Sequence, residues 1–174
     1  MKQGYIQVYT GDGKGKTTAA LGLAIRAAGH GMRIKIIQFM KGRYDYGELQ
    51  SLKRFPEIIL MQFGRIDFVQ KGQEQQIDFE EASAALKAAQ EALEDKELDI
   101  LILDEINVAL YFGLLKSEDV INLMEKKPST LELILTGRRV PNEIAERAHL
   151  ITRMEEVRHY YNTHKLQARL GIEY

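Results

Sequence analysis

Short apolar runs alternate along this chain with stretches whose apolar residues recur at helical spacing. Tyr5 to Tyr9 reads as a strand. Thr17 to Ala28, rich in Ala and Leu, reads as a helix ended by Gly29-His30-Gly31. Arg33 to Phe39 is a second strand, Glu48 to Phe55 a short helix stopped by Pro56, and Ile58 to Phe63 a third strand. The polar stretch from Gly64 to Gln75 reads as an irregular loop of the kind that covers a site. Ile77 to Lys96 is a long amphipathic helix with six alanines, and Leu98 to Leu103 a strand apolar on both faces except at Asp99. Helical patterns follow at Asn107 to Phe112 and at Ser117 to Lys126, the second with Ser117 as N-cap. Leu131 to Leu135 is another strand, Asn142 to Ala148 a helix, and His149 to Val157 the last strand.

This alternation predicts an α/β fold: a mainly parallel sheet with helices on both faces. Ligands of such sheets sit at the carboxyl ends of the strands. The pattern therefore points to the segments after Tyr9, Phe39, Asp104 and Leu135 before any motif is considered.

Composition narrows the picture further. A chain of 174 residues fits a single domain spanning 1–174. Cysteine is absent, which excludes disulfides, Cys-based zinc sites and thiol nucleophiles. A net charge of -1 offers no electrostatic reason to expect nucleic acid or a membrane surface as partner. No apolar run reaches eighteen residues, and the first residues lack a signal-peptide pattern, so the expected location is cytoplasmic.

The first strand leads into Thr10-Gly11-Asp12-Gly13-Lys14-Gly15-Lys16-Thr17-Thr18. Gly15-Lys16-Thr17 matches the end of the Walker A pattern, with Thr10 where its first glycine would stand and glycines at 11, 13 and 15 instead. A polyphosphate packs several negative charges into a small volume. A glycine-rich turn aims successive N–H groups at it, and the helix that follows adds the positive end of its dipole. Lys16 supplies a point charge, and the Thr17 hydroxyl suits a Mg2+ shell. The bland alternative is a tight turn with a solvated lysine. A Rossmann loop is disfavoured by Lys16, which stands where that fingerprint takes Gly or Ala.

Asp104 and Glu105 close the Leu98 to Leu103 run, the Walker B arrangement. A carboxylate there lies at the sheet's carboxyl edge beside the phosphate loop, suited to Mg2+ or to orienting a nucleophile. Capping of the next helix is compatible with either role.

With these segments in place the chain resembles the P-loop ATP:corrinoid adenosyltransferases. The matching segments are Tyr9 to Ala20, Gln38-Phe39-Met40-Lys41-Gly42, Gly47-Glu48, Leu103-Asp104-Glu105-Ile106-Asn107-Val108-Ala109, Thr136-Gly137-Arg138 and Gly171-Ile172-Glu173-Tyr174. The resemblance implies that a Co(I) corrinoid attacks the ribose 5′ carbon of an ATP bound in reversed orientation, and that triphosphate leaves. It also implies Mg2+, an external reductase that supplies Co(I), and a homodimer. Such a reaction needs no general base, only in-line positioning and stabilisation of a charged leaving group. That role falls to Lys14, Lys16, Thr17, Glu105, the loop amides and Mg2+, with Arg138 and Lys41 as further cations. Phe68-Val69-Gln70 stands where the family commonly has Phe-Thr-Trp, and the chain has no Trp, which leaves Phe68 as the corrinoid contact. Arg158 to Tyr174 agrees with the family's C-terminal pattern at its ends and differs in the middle.

Two other functions fit the phosphate loop: phosphoryl transfer by a kinase or ATPase, and a carrier that binds ATP and corrinoid without turnover. Among the remaining candidates, His159 and His164 read as surface residues, and Met40, Met61 and Met154 as core fillers. Glu80-Glu81 and Lys126-Lys127 read as solvated helix faces, and Tyr160-Tyr161 as packing.

Overall fold

A computed structural model describes residues 3–43, 45–67 and 69–174. Six strands form one sheet, each pairing parallel to its neighbours: β1 (Ile6–Thr10), β2 (Ile34–Gln38), β3 (Ile58–Gln62), β4 (Ile100–Asp104), β5 (Glu132–Thr136) and β6 (Leu150–Arg153), in the order β3-β2-β4-β5-β1-β6. The described helices are α1 (Lys16–Ala28), α2 (Gly47–Leu52), α3 (Gln76–Ala92), α4 (Ile106–Tyr111), α5 (Ser117–Lys126), α6 (Asn142–Ala145) and α7 (Tyr160–His164). The expected α/β architecture is present.

Strand alternation divides the core in two. Ile34 and Ile36, Ile100 and Ile102, and Ile134 face α1, whose Ala20, Ala24 and Ala27 recur at helical spacing and let the helix lie close to the sheet. Ile37, Leu101, Leu103, Leu133 and Leu135 face the other way, onto α3, α4, α5 and α6. There the small residues Ala82, Ala85, Ala89 and Ala92 of α3 play the same part. Leu101 is fully buried; truncating such a residue to Ala costs about 2–5 kcal/mol.

Every strand from β1 to β5 is followed by a residue with positive φ: Gly11, Met40, Gly64, Glu105 and Gly137. These left-handed kinks turn the chain sharply off the sheet, so the residues at the carboxyl edge crowd together.

Several boundaries differ from expectation. Helix α3 ends at Ala92, where 3-residue turns through Glu94 and Asp95 take over and the Asp95 carboxylate accepts from Glu97 N. Strand β6 ends at Arg153 because Met154 turns onto the phosphate loop. Ser117 is not an N-cap: Lys116 holds that position, and the Ser117 hydroxyl hydrogen-bonds Glu143 of α6, which holds that carboxyl below its ordinary range. Helix α7 has no apolar periodicity to announce it.

The loop from Gly64 to Gln75 is irregular as expected, and it is tied down. Gly64 N donates to Glu81, Arg65 makes a paired contact with buried Asp78 at 2.6 and 3.0 Å, and Lys71 Nζ lies 3.3 Å from the centre of the Tyr111 ring. Glu81 is therefore no solvated face. Neither is Lys127, whose ammonium donates to the carbonyls of Gly4, Pro128 and Leu131. Met61 is 37% exposed on the edge strand and fills no core.

Candidate active site

The phosphate loop begins where β1 ends. Gly15 takes φ 116° as the N-cap of α1, and Lys16 opens the helix. No side chain caps α1 and no acidic residue lies in its first turn, so its leading N–H groups and the positive end of its dipole stay available to an anion. Gly11 and Gly13 press on the segment after β6: a Cβ at Gly11 would lie 2.3 Å from Met154 O, and one at Gly13 2.7 Å from Glu155. Gly13 N donates to Met154 O, and Met154 N to Thr10 O, both at 2.8 Å. Met154 thus braces the loop as well as packing. A cavity of about 470 Å3 opens beside it, lined by Thr10, Gly11 and Asp12, by Arg139 and Val140, and by the segment from Arg153 to Glu156.

Lys16 is only 8% exposed, and its ammonium donates to Gly13 O at 2.7 Å. Burial pushes its pKa below the ordinary value, and the neighbouring charge of Arg138 pushes the same way, against the pull of Glu105, Asp12 and Asp104. Arg138 itself is exposed at the carboxyl end of β5.

Asp104 is the hub. Its side chain is fully buried, yet it stays ionised because four donors converge on it. Thr17 and Thr136 donate their hydroxyls to Oδ1 at 2.9 and 2.7 Å, while Gln38 Nε2 and Lys41 Nζ reach Oδ2 at 3.0 and 2.7 Å. Burial alone would raise its pKa; the Lys41 charge and these hydrogen bonds outweigh it and hold the carboxyl low. Burial likewise opposes the charge on Lys41, and Asp104 and Glu105 overcome it, so that ammonium sits above its ordinary value.

Glu105 has φ 64°, and among the described residues its carboxylate accepts no hydrogen bond. Burial and the adjacent Asp104 raise its pKa. Its backbone N–H donates to Thr136 Oγ1 at 3.0 Å. The donor set fits Mg2+: hard oxygens from a hydroxyl and from a carboxylate without a hydrogen-bond donor of its own, in a place where a cation would offset the neighbouring charge of Asp104 on Glu105. Asp104 suits a supporting part, because its oxygens are already engaged.

The structure thus brings Lys16, Thr17, Lys41, Asp104 and Glu105 together. Asp12 is exposed on the loop and Thr18 in the first turn of α1, and Thr10 shares its strand face with Ile6 and Val8. Lys14 turns away to the C-terminal segment, donating to Glu173 at 2.8 Å, to Ile172 O and to Tyr160. Tyr160 also hydrogen-bonds Glu173, so it does more than pack. His159 caps α7 through Tyr161 N. Phe68 lies outside the described residues. Sequence reasoning missed Gln38 and Thr136 as partners of Asp104. The signal was there: each is a polar residue ending an apolar run.

A family model described as ATP:corrinoid adenosyltransferase BtuR/CobO/CobP matches residues 2–174. The chain belongs to this family. Its members transfer the adenosyl group of ATP to a corrinoid, and the protein is accordingly a transferase. Named relatives agree. The corrinoid adenosyltransferase of Pseudomonas aeruginosa is 34% identical over 99% of this chain and 85% of its own length. That of Escherichia coli K12 is 33% identical over 99% and 87%, as is the corrinoid adenosyltransferase CobA of Salmonella typhimurium. For an adenosyltransferase the site makes chemical sense: cations and helix-start amides, the groups that favour a polyphosphate, gather there. No described helix is long and apolar enough to cross a membrane.

Proposed function

We propose that this chain, as one domain over 1–174, joins the 5′ carbon of ATP to the Co(I) centre of a corrinoid and releases inorganic triphosphate. The cobalt electron pair forms the Co–C bond, the C5′–O bond breaks, and its electrons leave with the triphosphate; cobalt passes from Co(I) to Co(III). The observation that carries this reading is Lys16, a cation kept nearly out of water beside an uncapped helix start. Its charge is disfavoured until a polyanion arrives, so binding energy concentrates on the triphosphate.

Thr10 to Thr18 hold the phosphates, with Lys16 and the loop amides on the leaving group and Arg138 adding charge from β5. Lys41 and Asp104 fix the sheet edge on which Thr17 is oriented. Thr17 donates its hydroxyl hydrogen bond to Asp104 and so turns lone pairs outward. Thr17 and Glu105, with Asp104 behind them, are the residues that would hold Mg2+, which when bound neutralises phosphate charge. An external reductase supplies Co(I), and Phe68 contributes to the corrinoid side. The resemblance supports a homodimer. A cytoplasmic setting follows from the need for both ATP and reducing power.

The test is a single turnover with Co(I) corrinoid and MgATP. Expected are the spectrum of an alkylated corrinoid and one equivalent of triphosphate. Release of ADP with no organocobalt species would overturn the reading in favour of phosphoryl transfer.

A further inference from the structure

Three neighbouring strands end on polar residues that share a level and a face. Gln62 of β3 pairs in register with Gln38 of β2, and Gln38 with Asp104 of β4. Each continues, by strand alternation, the face that carries Ile58 and Leu60, Ile34 and Ile36, or Ile100 and Ile102. The α1-facing side of the sheet is thus apolar up to its final step and then becomes a polar row. Gln62 Nε2 donates to Gln38 Oε1 at 2.9 Å, and Gln38 Nε2 to Asp104 Oδ2 at 3.0 Å.

Chemistry sets the direction of this row. An ionised carboxylate only accepts, so Gln38 must present its NH2 to Asp104 and its carbonyl to Gln62, which answers with its own NH2. Gln38 is fully buried, where an amide is costly unless paired. Without it, Oδ2 of Asp104 would be left with Lys41, a flexible chain, as its one donor, and the carboxylate could pivot about the Oδ1 that Thr136 still holds. Thr17, bonded to that same Oδ1, would lose its fixed alignment.

We propose that Gln38 is a positioning residue of the phosphate site: backed by Gln62, it locks the orientation of Asp104 and through it the hydroxyl of Thr17. The proposal rests on the reading of Thr10 to Thr18 and Asp104 as the ATP site.

A double-mutant cycle tests it, read by calorimetric binding of MgATP and so independent of whether adenosyl transfer occurs. The Gln38→Met variant keeps the side-chain length and loses the donor. Expected is binding weaker by about tenfold, the size of one hydrogen bond to a charged group. In a Thr17→Ala background the same change adds less than about twofold, because interacting residues are not additive. In steady state, KM for ATP rises and KM for the corrinoid holds. Gln62→Met, at a partly buried edge position, weakens binding less, and not at all once Gln38 is replaced. If Gln38→Met does not fold, the Gln62→Met variant crossed with Thr17→Ala carries the same comparison. Wild-type affinity in the Gln38 variant, an equal loss with and without Thr17, or a loss confined to corrinoid KM would each overturn the proposal. Failure of the proposed chemistry would show separately, as ADP in the single-turnover product with the cycle intact.

Discussion

Lys14, set between two glycines of the phosphate loop, is gripped by Glu173 at 2.8 Å. Arg169 and Tyr160 hold the same carboxylate, and Arg43 stacks 5.6 Å from the ring of Tyr174. The C-terminal segment therefore clasps the loop proposed to bind ATP. Hydrogen bonds from Arg169, Lys14 and Tyr160 hold Glu173 well below its ordinary pKa of 4.5, and the bond to Glu173 raises Lys14 above 10.5. The signs define a window. The Glu173 contribution is present above pH 4.5 and is lost as pH falls through the lowered value; the Lys14 contribution is present below pH 10.5 and is lost as pH rises through the raised one. The protection factors of the segment from Tyr160 to Tyr174 against hydrogen exchange, corrected for the intrinsic pH dependence of amide exchange, are expected to be the same at mildly acidic and mildly alkaline pH. High salt screens this exposed pair and speeds exchange, and tripolyphosphate, competing for Lys14, does so as well.

Replacing Lys16 by Ala removes the buried cation that the proposed reading sets on the leaving group. Loss of one preorganised donor to a developing anion typically costs about a hundredfold to a thousandfold in rate, and triphosphate release in single turnover is expected to fall by that much. The melting temperature should hardly change, because burial already disfavours the charge.

Gly137 sits at φ 128°, with the Asn107 Cβ and Val108 N both 3.0 Å from where a Cβ would be. The Gly137→Ala variant is expected to lose about 1–3 kcal/mol of stability, the usual cost of a forced backbone conformation. It should also raise KM for ATP by shifting Arg138. Denaturant melts and steady-state kinetics check the two effects.

Lys127→Met separates stability from chemistry. It takes the ammonium from three carbonyls, those of Gly4, Pro128 and Leu131, of which Pro128 keeps the N–H of Leu131 as donor. The expected cost is about 1–3 kcal/mol, and each kcal/mol lowers the melting temperature of a chain this size by about 2–4 °C. Single-turnover rates should stay at wild type, since the residue sits against the amino ends of β1 and β5, at the opposite edge of the sheet from the proposed contacts.

What the sequence made legible was local. Runs such as Ile100 to Leu103 gave the strands, the Ala spacing gave α1 and α3, and Gly15-Lys16-Thr17 gave the loop. What it concealed depended on distant partners. Lys127 reads as solvent-facing until Gly4, 123 residues away, is brought against it. Glu81 looks free until Gly64 arrives. The acid beside Asp104 turned out to lack the hydrogen bonds that Asp104 collects, a division that depends on neighbouring strands and not on the dipeptide itself.

The phosphate loop of this protein is pressed against another stretch of chain, with Gly11 and Gly13 touching backbone and not side chains on the far side. Such a contact has no rotamer to give way. A bulkier residue at Gly11 or Gly13 would have to displace the whole crossing at Met154 and Glu155, so the two stretches, distant in the chain, are bound to vary as one unit; anyone retuning the nucleotide pocket would need to redesign both together.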